Sequence, residues 1–368
     1  MNQDRIDVWF MAHSISAHGG GMERMNFALL NGLNEQFQTY IVAGEGLSEV
    51  PRARERIPIR IAKKPAFARI AGFYFRSPTK KDLTLTGGIS HTCGAINRGG
   101  SDIATVHLCQ ADAKVAKGES HTWRYLNARI ARSFGRVLER RNFTPGRTGL
   151  LVAVSDSVAD QLRRHYPDIE VRVIPNGVDE HRFPFTQRSI DSPLRILMVT
   201  GDFALKGVGG AIRALAMALD KTLILTVVGK GDAAPYLKLA QSLGVAERVS
   251  FTGPLHDVVP EYAQHNIILC NSTYESFGLF IVEAALTGCA VLSTDVGIAR
   301  RLVGDNEAGA IFDGSVSQLA GWFDTWSQNR NHVQSMGQLA SRRAQEFSLA
   351  RMIESYEELY QEIAAGRA

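Results

Sequence analysis

The sequence predicts two doubly wound α/β domains that face each other across a central cleft. Strand-like apolar runs alternate with helix-like segments along most of the chain, and this order is typical of parallel sheets. The length of 368 residues exceeds one ordinary hydrophobic core and suits two domains. An aperiodic stretch near the middle of the chain, rich in proline, serine and charge, has the composition of a linker.

The first half of the chain supplies one alternating series. Strands are predicted at residues 6–11, 39–43, 57–61, 103–108 and 150–154, and helices at residues 22–33, 121–142 and 155–165. Ser155 is predicted to be the N-cap because its side chain can accept a hydrogen bond from an early helical amide. This series predicts a first domain over residues 1–185.

The second half repeats the pattern after the linker. Strands are predicted at residues 194–200, 223–228, 249–252, 267–270 and 291–294, and helices at residues 207–219, 235–243, 258–264 and 280–287. The second domain is therefore assigned to residues 186–345. Residues 346–368 are expected to form a C-terminal helix that packs back on the first domain.

Composition narrows the function classes. No run approaches the roughly 20 apolar residues of a membrane-spanning helix, and the first residues lack the pattern of a secretory signal, so a cytoplasmic location is expected. The four cysteines form no C-x-x-C pair, which predicts reduced, buried thiols rather than a zinc site. Residues 1–188 carry 27 Lys and Arg against 18 Asp and Glu, whereas the remainder carries 14 against 19, so the two domains are expected to bind different partners.

The strongest motif is the segment from Glu275 to Glu283, Glu-Ser-Phe-Gly-Leu-Phe-Ile-Val-Glu. Glu275 is predicted in a loop after a strand and Glu283 on the second helical turn, with Gly278 between them. Two carboxylates can accept hydrogen bonds from sugar and ribose hydroxyls, and the adjacent helix N-terminus can bind a diphosphate. Two surface glutamates would be the plain alternative, but Glu283 lies among apolar residues, where a carboxylate needs a partner.

A cation and further glycines occur at other predicted strand ends. Lys206 and Gly207 close the loop after the first strand of the second domain, where an ammonium group and free amides can hold a pyrophosphate. Gly20 and Gly21 follow the first strand of the chain and allow a ligand close to the backbone. Neither loop matches G-x-G-x-x-G or a P-loop, so a dinucleotide fold is poorly supported.

Together these segments resemble the retaining GT-B glycosyltransferases of family 4, also called group 1, with a more distant likeness to lipopolysaccharide-core sugar transferases. Glu275-Ser-Phe-Gly matches the family's E-x7-E element, and the family's other landmarks follow in order: the glycine loop from Gly20 to Arg24, Ile174-Pro-Asn-Gly-Val-Asp and the loop from Gly201 to Gly207. The resemblance implies a GT-B fold of two Rossmann-like domains, with residues 1–185 binding the acceptor and residues 186–345 binding the nucleotide sugar. It spans nearly the whole chain.

The resemblance also implies roles for individual residues. Lys206 would stabilise the leaving diphosphate, Glu275 would contact the donor sugar, and His107 would lie near the transferred sugar. The remaining donor-binding residues would be Glu283, Gly207, Ser276, Phe277, Gly278, Gly229 and Leu255, with base contacts made by the backbone near the last two. Asp202 stands where many members have Arg, so a second cation must come from elsewhere, and Arg24 beside Gly20 and Gly21 is the candidate.

The predicted reaction is transfer of a hexose, with retention, from a nucleotide diphosphate sugar to a glycan, lipid-linked or small-molecule acceptor. A UDP-sugar is favoured as the donor, and GDP-mannose remains an alternative. No metal and no cofactor beyond this co-substrate is expected, because the sequence contains no Asp-x-Asp. A nucleotide-sugar epimerase of the same architecture and a non-catalytic nucleotide-sugar binding protein are the rival interpretations.

Basic residues of the first half suggest a further partner. Residues 51–81 carry ten Lys and Arg against one acid, with aromatic residues among them, and the helix predicted from residue 121 adds six arginines. Basic charge beside aromatic rings is typical of a surface that docks on an anionic membrane, which predicts peripheral association at the inner face. Apolar residues that pack on the sheet, with arginines that are solvated or bind acceptor phosphates, are the alternative. No nucleic-acid motif accompanies the charge.

Overall fold

The computed structural model describes residues 5–61, 65–79, 81–82, 87–112, 123–189 and 193–367. The chain forms two compact units. One comprises the chain up to Gly177 together with the segment from Leu349 onward, and the other is Val178–Ser348. Each unit has its own parallel sheet flanked by helices.

The first unit is built on a seven-stranded parallel sheet in the order β3-β2-β1-β4-β5-β6-β7. The strands are β1 (Ile6–Ser14), β2 (Phe37–Glu45), β3 (Glu55–Pro58), β4 (Ile89–Cys93), β5 (Ser101–Val106), β6 (Thr148–Ala153) and β7 (Glu170–Val173). The helices are α1 (Gly21–Gly32), α2 (Ala66–Arg76), α3 (Trp123–Asn142) and α4 (Asp156–His165). Ser155 caps α4 as predicted, since its Oγ accepts a bond from Val158 N at 3.3 Å.

The second unit contains a six-stranded parallel sheet in the order β10-β9-β8-β11-β12-β13. The strands are β8 (Arg195–Val199), β9 (Ile224–Val228), β10 (Val249–Gly253), β11 (Ile267–Cys270), β12 (Ala290–Thr294) and β13 (Gly309–Phe312). The helices are α5 (Val208–Met217), α6 (Ala234–Ser242), α7 (Val259–Gln264), α8 (Leu279–Leu286), α9 (Ala299–Val303), α10 (Val316–Gln328) and α11 (Arg330–Ala344). Because both faces are covered, the central strands are almost wholly apolar and buried.

The last helix, α12 (Leu349–Ala365), belongs to the first unit and packs on α1, β1 and β4. A series of buried side-chain hydrogen bonds holds this helix against the sheet. The Nδ1 and Nε2 atoms of His91 lie 2.6 Å from Tyr360 Oη and 2.7 Å from Thr105 Oγ1, and Thr105 Oγ1 lies 2.8 Å from Tyr356 Oη. Burial lowers the pKa of His91 to about 3, so the ring is neutral and can pair with hydroxyls inside the core.

The prediction of two parallel α/β domains is confirmed. The strand predicted at residues 57–61 is wrong in its bounds, because pairing with β2 runs from Glu55 to Pro58. Strands β4, β7 and β13 were not predicted. The helix predicted at residues 121–142 is described from Trp123, and residues 121–122 lie outside the described part.

All four cysteines are free and buried, as expected. Among the described residues, none of the helices has the length and apolarity required to cross a membrane.

Candidate functional site

Lys206 and Glu275 follow adjacent strands of the second sheet. Lys206 lies in the loop after β8 and Glu275 in the loop after β11, and these two strands are neighbours although the chain visits β9 and β10 between them. The strand order reverses at this point. In doubly wound sheets ligands bind outside the carboxyl ends of the strands at such a reversal.

The structure brings these two side chains into direct contact. Lys206 Nζ donates to Glu275 Oε1 and lies 3.4 Å from the carbonyl oxygen of Tyr274. Ser272 Oγ donates to the same Glu275 oxygen at 3.2 Å. The side chains of Lys206 and Glu275 are 19 % and 14 % exposed. A charge-assisted pair this far out of water is stronger than a surface ion pair and fixes both groups at the sheet edge.

Gly207 joins the two loops. It adopts a left-handed conformation with φ +67° at the N-cap of α5, and a Cβ on it would lie 2.5 Å from the carbonyl oxygen of Asn271. Asn271 Nδ2 in turn donates to the Gly207 carbonyl oxygen at 2.9 Å. Asn271 was missed in the sequence analysis, and its place directly after β11 is the signal that could have identified it.

Asp202 shapes the loop before Lys206. Its Oδ1 accepts from Leu205 N at 2.9 Å, and its own amide donates to Thr200 Oγ1 at 3.1 Å. The carboxylate that replaces the usual arginine therefore stabilises a turn. A short acceptor side chain suits this role, which an arginine could not perform because it has no acceptor atom.

The segment between the two glutamates begins helix α8. Gly278 is its N-cap with φ +90°, and Ser276 and Phe277 precede it. Phe277 is buried and makes an edge contact with Phe347 at 6.1 Å between ring centroids. This packing anchors the loop that carries Glu275. Because Gly207 and Gly278 have no side chains, neither can cap its helix with a side-chain atom. Val208 N donates to the Phe203 carbonyl oxygen at 3.0 Å and Ile281 N to the Gly278 carbonyl oxygen at 2.9 Å, so an anion would bind other amides of the first turns.

Glu283 lies on the second turn of α8, as predicted, and is buried. Its Oε2 accepts a hydrogen bond from Tyr262 Oη at 2.8 Å. Tyr262 is fully buried in α7 and was not identified from the sequence, because a lone tyrosine 21 residues away carries no local signal. Its hydroxyl fixes the orientation of a carboxylate that would otherwise be costly to bury.

Gly229 and Leu255 follow the neighbouring strands β9 and β10. Gly229 has φ +142°, and a Cβ on it would lie only 1.6 Å from the Thr200 carbonyl oxygen, so the backbone after β9 packs tightly on the start of the Lys206 loop. Its amide donates to the Gly253 carbonyl oxygen at 3.0 Å. Leu255 is 38 % exposed.

The remaining predicted residues belong to the first unit. Gly20 is the N-cap of α1, Gly21 is its first residue, and the amide of Arg24 donates to the Gly20 carbonyl oxygen at 3.0 Å. His107 directly follows β5 and is half-buried. Burial lowers its pKa to about 4, so the imidazole is neutral at physiological pH. Within the described ranges no cluster of His, Cys, Asp and Glu has the geometry of a metal site.

Two family models match consecutive parts of the chain. The model described as Glycosyltransferase Family 4 matches residues 19–182, and the model described as Glycosyl transferases group 1 matches residues 179–343. A curated relative, the D-inositol 3-phosphate glycosyltransferase of Corynebacterium diphtheriae, is 31 % identical over 243 residues, which cover 58 % of this chain and 56 % of the relative. The chain spans little more than half the length of the curated relatives it matches.

Two solved structures are similar over nearly the whole chain. WaaG, a glycosyltransferase involved in lipopolysaccharide biosynthesis, superimposes with a TM-score of 0.73 at 20 % identity, covering 96 % of this chain and 99 % of WaaG. Anabaena Alr3699/HepE in complex with UDP superimposes with a TM-score of 0.69 at 18 % identity, covering 97 % and 100 %. At these identities the likeness shows a shared fold.

Proposed function

The chain belongs to the group 1 glycosyltransferases of GT-B fold, similar to sugar transferases of the lipopolysaccharide core, and we propose that it transfers a sugar from a nucleotide diphosphate sugar to a hydroxyl-bearing acceptor. The observation that carries the proposal is the Lys206–Glu275 pair at the reversal of the second sheet. It combines a cation for a diphosphate with a carboxylate for sugar hydroxyls, beside two helix N-termini that have glycine at the N-cap position.

The contacts of the proposed donor-binding residues support a role for each of them. Lys206 and the amides of α5 neutralise the diphosphate as it leaves. Glu275, oriented by Ser272, accepts hydrogen bonds from the sugar hydroxyls. Glu283, fixed by Tyr262, accepts bonds from the ribose. As the family resemblance implies, we assign His107 to the transferred sugar and the loop with Gly20, Gly21 and Arg24 to the acceptor.

The proposed chemistry is front-face displacement with retention and without a metal. The bond from the anomeric carbon to the diphosphate oxygen breaks, the acceptor oxygen forms a bond to the same face, and its proton passes to the departing phosphate oxygen. A retaining double displacement would instead need two carboxylates about 5–5.5 Å apart. Glu275 is already engaged by Lys206 and Ser272, which favours a positioning role over nucleophilic attack.

A hexose attached to UDP is the favoured donor, since a structural neighbour of the same fold is a UDP complex. GDP-mannose remains the alternative. The relatives named above are transferases, which favours transfer over isomerisation of a nucleotide sugar.

Incubation with donor sugars tests the proposal. UDP-glucose, UDP-galactose and GDP-mannose are supplied with and without acceptor glycans and lipids, and release of the nucleotide and the anomeric configuration of the product are followed by NMR. Transfer with retention that persists in EDTA is expected. An acceptor-independent conversion of the donor would contradict transfer, and a requirement for Mg²⁺ or Mn²⁺ would contradict the metal-free mechanism.

We further propose that α2 and α3 dock on an anionic membrane surface. The two helices pack on each other. Both expose apolar side chains among exposed arginines: Phe67 and Phe75 on α2, and Leu126, Ile130 and Val137 on α3. Phe73, Tyr74 and Leu138 are buried, so only part of the predicted surface is available. Lys63, Lys64 and Lys80 lie outside the described residues, as do the side chains of Trp123, Arg124 and Tyr125.

Co-sedimentation with liposomes tests the docking surface. Binding to anionic vesicles at low salt, weakened by high salt and absent with neutral vesicles, is expected. The variant Phe75→Ser with Val137→Ser should lose pelleting, whereas the control Met217→Ser with Leu219→Ser, which removes exposed apolar residues of the second unit, should retain it. Equal, negligible pelleting with both lipids would contradict membrane docking.

A further inference from the structure

A cavity of about 230 Å³ lies wholly within the first unit. It opens at the carboxyl ends of β1, β4 and β5 and is closed by residues of α2 and α3. The order of the first sheet reverses between β1 and β4, so the cavity occupies the position at which doubly wound sheets bind ligands. Much of its wall is apolar, with Ile70, Ile96 and Leu138 among the lining residues.

Several polar side chains in the cavity wall are already paired within the protein. Both carboxylate oxygens of Glu139 accept backbone bonds, from Gln110 N at 2.9 Å and Ala111 N at 3.2 Å. Thr105 Oγ1 is engaged by His91 and a tyrosine hydroxyl. These groups shape the cavity and have little capacity left for a ligand.

His13 is different. It is the penultimate residue of β1 and lines the cavity, and its Nδ1 is buried without a hydrogen-bond partner among the described residues. Burial, and then the nearby guanidinium of Arg69, lower the pKa of this ring to about 4, so it is neutral. A buried polar atom without a partner destabilises the fold. A ligand that supplied the missing bond would recover that free energy.

We propose that this cavity is the acceptor subsite and binds the apolar part of a neutral alcohol whose hydroxyl pairs with His13 Nδ1. The assignment as an acceptor subsite rests on the proposed sugar transfer. A hydroxyl both donates and accepts, so it suits either tautomer of a neutral imidazole. A cation is repelled by Arg69, and an anion would have to leave water among Ile96 and Leu138.

The volume indicates the size of the bound group. A dry cavity of about 150 Å³ lined by apolar side chains admits benzene. The larger cavity beside His13 can therefore hold a six-membered ring with a short polar substituent. Benzyl alcohols fit this description and serve as probes.

The test is a ¹⁹F NMR titration of the full chain, without donor, using 4-fluorobenzyl alcohol and 4-fluorotoluene. The two probes differ only in the hydroxyl. We expect the alcohol to bind about fivefold more tightly, the ratio that corresponds to one net hydrogen bond of about 1 kcal/mol. His13→Phe should abolish this preference without lowering the melting temperature, because no hydrogen bond of Nδ1 is lost. The control His181→Phe, at an exposed position of the second unit, should keep it.

A second variant guards against misfolding of the first. Ile70→Trp fills the cavity from α2 and should weaken binding of both probes at least tenfold. Absence of saturable binding in the unmodified protein, equal affinity for the two probes, or an unchanged preference in His13→Phe would overturn the proposal. Because no donor is present, binding without any transferase activity would contradict the proposed function alone, and transfer without binding would contradict the subsite alone.

Discussion

Replacing Lys206 by Met tests whether the ammonium group stabilises the negative charge of the leaving diphosphate. Methionine keeps much of the side-chain length and removes the ammonium, which in the structure contacts Glu275 Oε1 and the Tyr274 carbonyl oxygen. A hydrogen bond to a charged group is worth about 1.5–3 kcal/mol. If that bond is made to the departing diphosphate in the transition state, its loss lowers kcat by about 10- to 150-fold.

The same substitution affects stability by a separate route. Glu275 is 14 % exposed and would retain Ser272 as a donor, so the pair is neither fully buried nor fully solvated. We expect the free energy of unfolding to fall by about 1–3 kcal/mol, within the range for leaving one partner of a polar pair unsatisfied. A melting curve measures this loss, and steady-state kinetics at saturating donor measures kcat.

Two comparisons make the result decisive. Lys238→Met, at an exposed position of α6, removes a lysine from the same unit and should leave kcat unchanged. Glu275→Gln keeps the shape of the carboxylate and should raise KM for the donor as well as lower kcat, because it weakens bonds to the sugar. A kcat for Lys206→Met within threefold of the unmodified protein, in a folded variant, would refute the leaving-group role.

Three further substitutions test other parts of the chain. Glu283→Ala should lower kcat/KM more than tenfold, mainly through KM, as measured by donor titration. Gly207→Ala should lower the melting temperature, since its Cβ would lie 2.5 Å from the Asn271 carbonyl oxygen at φ +67°, a strain of about 1–3 kcal/mol. Burial raises the pKa of Glu139 from 4.5 to about 7. The contribution of Glu139 to the free energy of unfolding is therefore fully present below pH 4.5. It falls by about 3 kcal/mol as the pH rises through 7. Denaturant unfolding of Glu139→Gln should show a flatter profile between pH 5 and 8.

Much of the candidate site in the second unit could be predicted from the sequence because its features are local. Lys206, Gly207 and the Glu275–Glu283 segment combine glycine, charge and helix onset within a few residues. Their partners were not accessible. Asn271 and Tyr262 are ordinary polar residues whose importance comes from contacts across 64 and 21 residues of the chain.

Strand β4 shows why the first sheet was harder to predict. Its sequence, Ile-Ser-His-Thr-Cys, contains three polar residues, yet every position is buried. Ser90 donates to Asp102 Oδ2 at 2.7 Å, and His91 pairs with Tyr360 across 269 residues. Polar side chains are tolerated at the centre of a sheet when each finds a partner. Those partners are distant in the sequence and become neighbours only in the folded chain. The periodicity of the sequence alone therefore does not predict a strand here.

The two sheets reverse their strand order in the same way but present opposite chemistry at the reversal. In the second unit Lys206 and Glu275 form an ion pair at the sheet edge. In the first unit His13 and His107 are held neutral by burial, beside a largely apolar cavity. Among the described residues that line the cavity, Arg69 is the one Lys or Arg, and it is exposed. The excess of basic residues in the first half therefore lies mainly outside the cavity wall. Exposed arginines on α2 and α3 account for part of it, and we infer that this charge serves a surface partner, while the cavity selects a neutral acceptor.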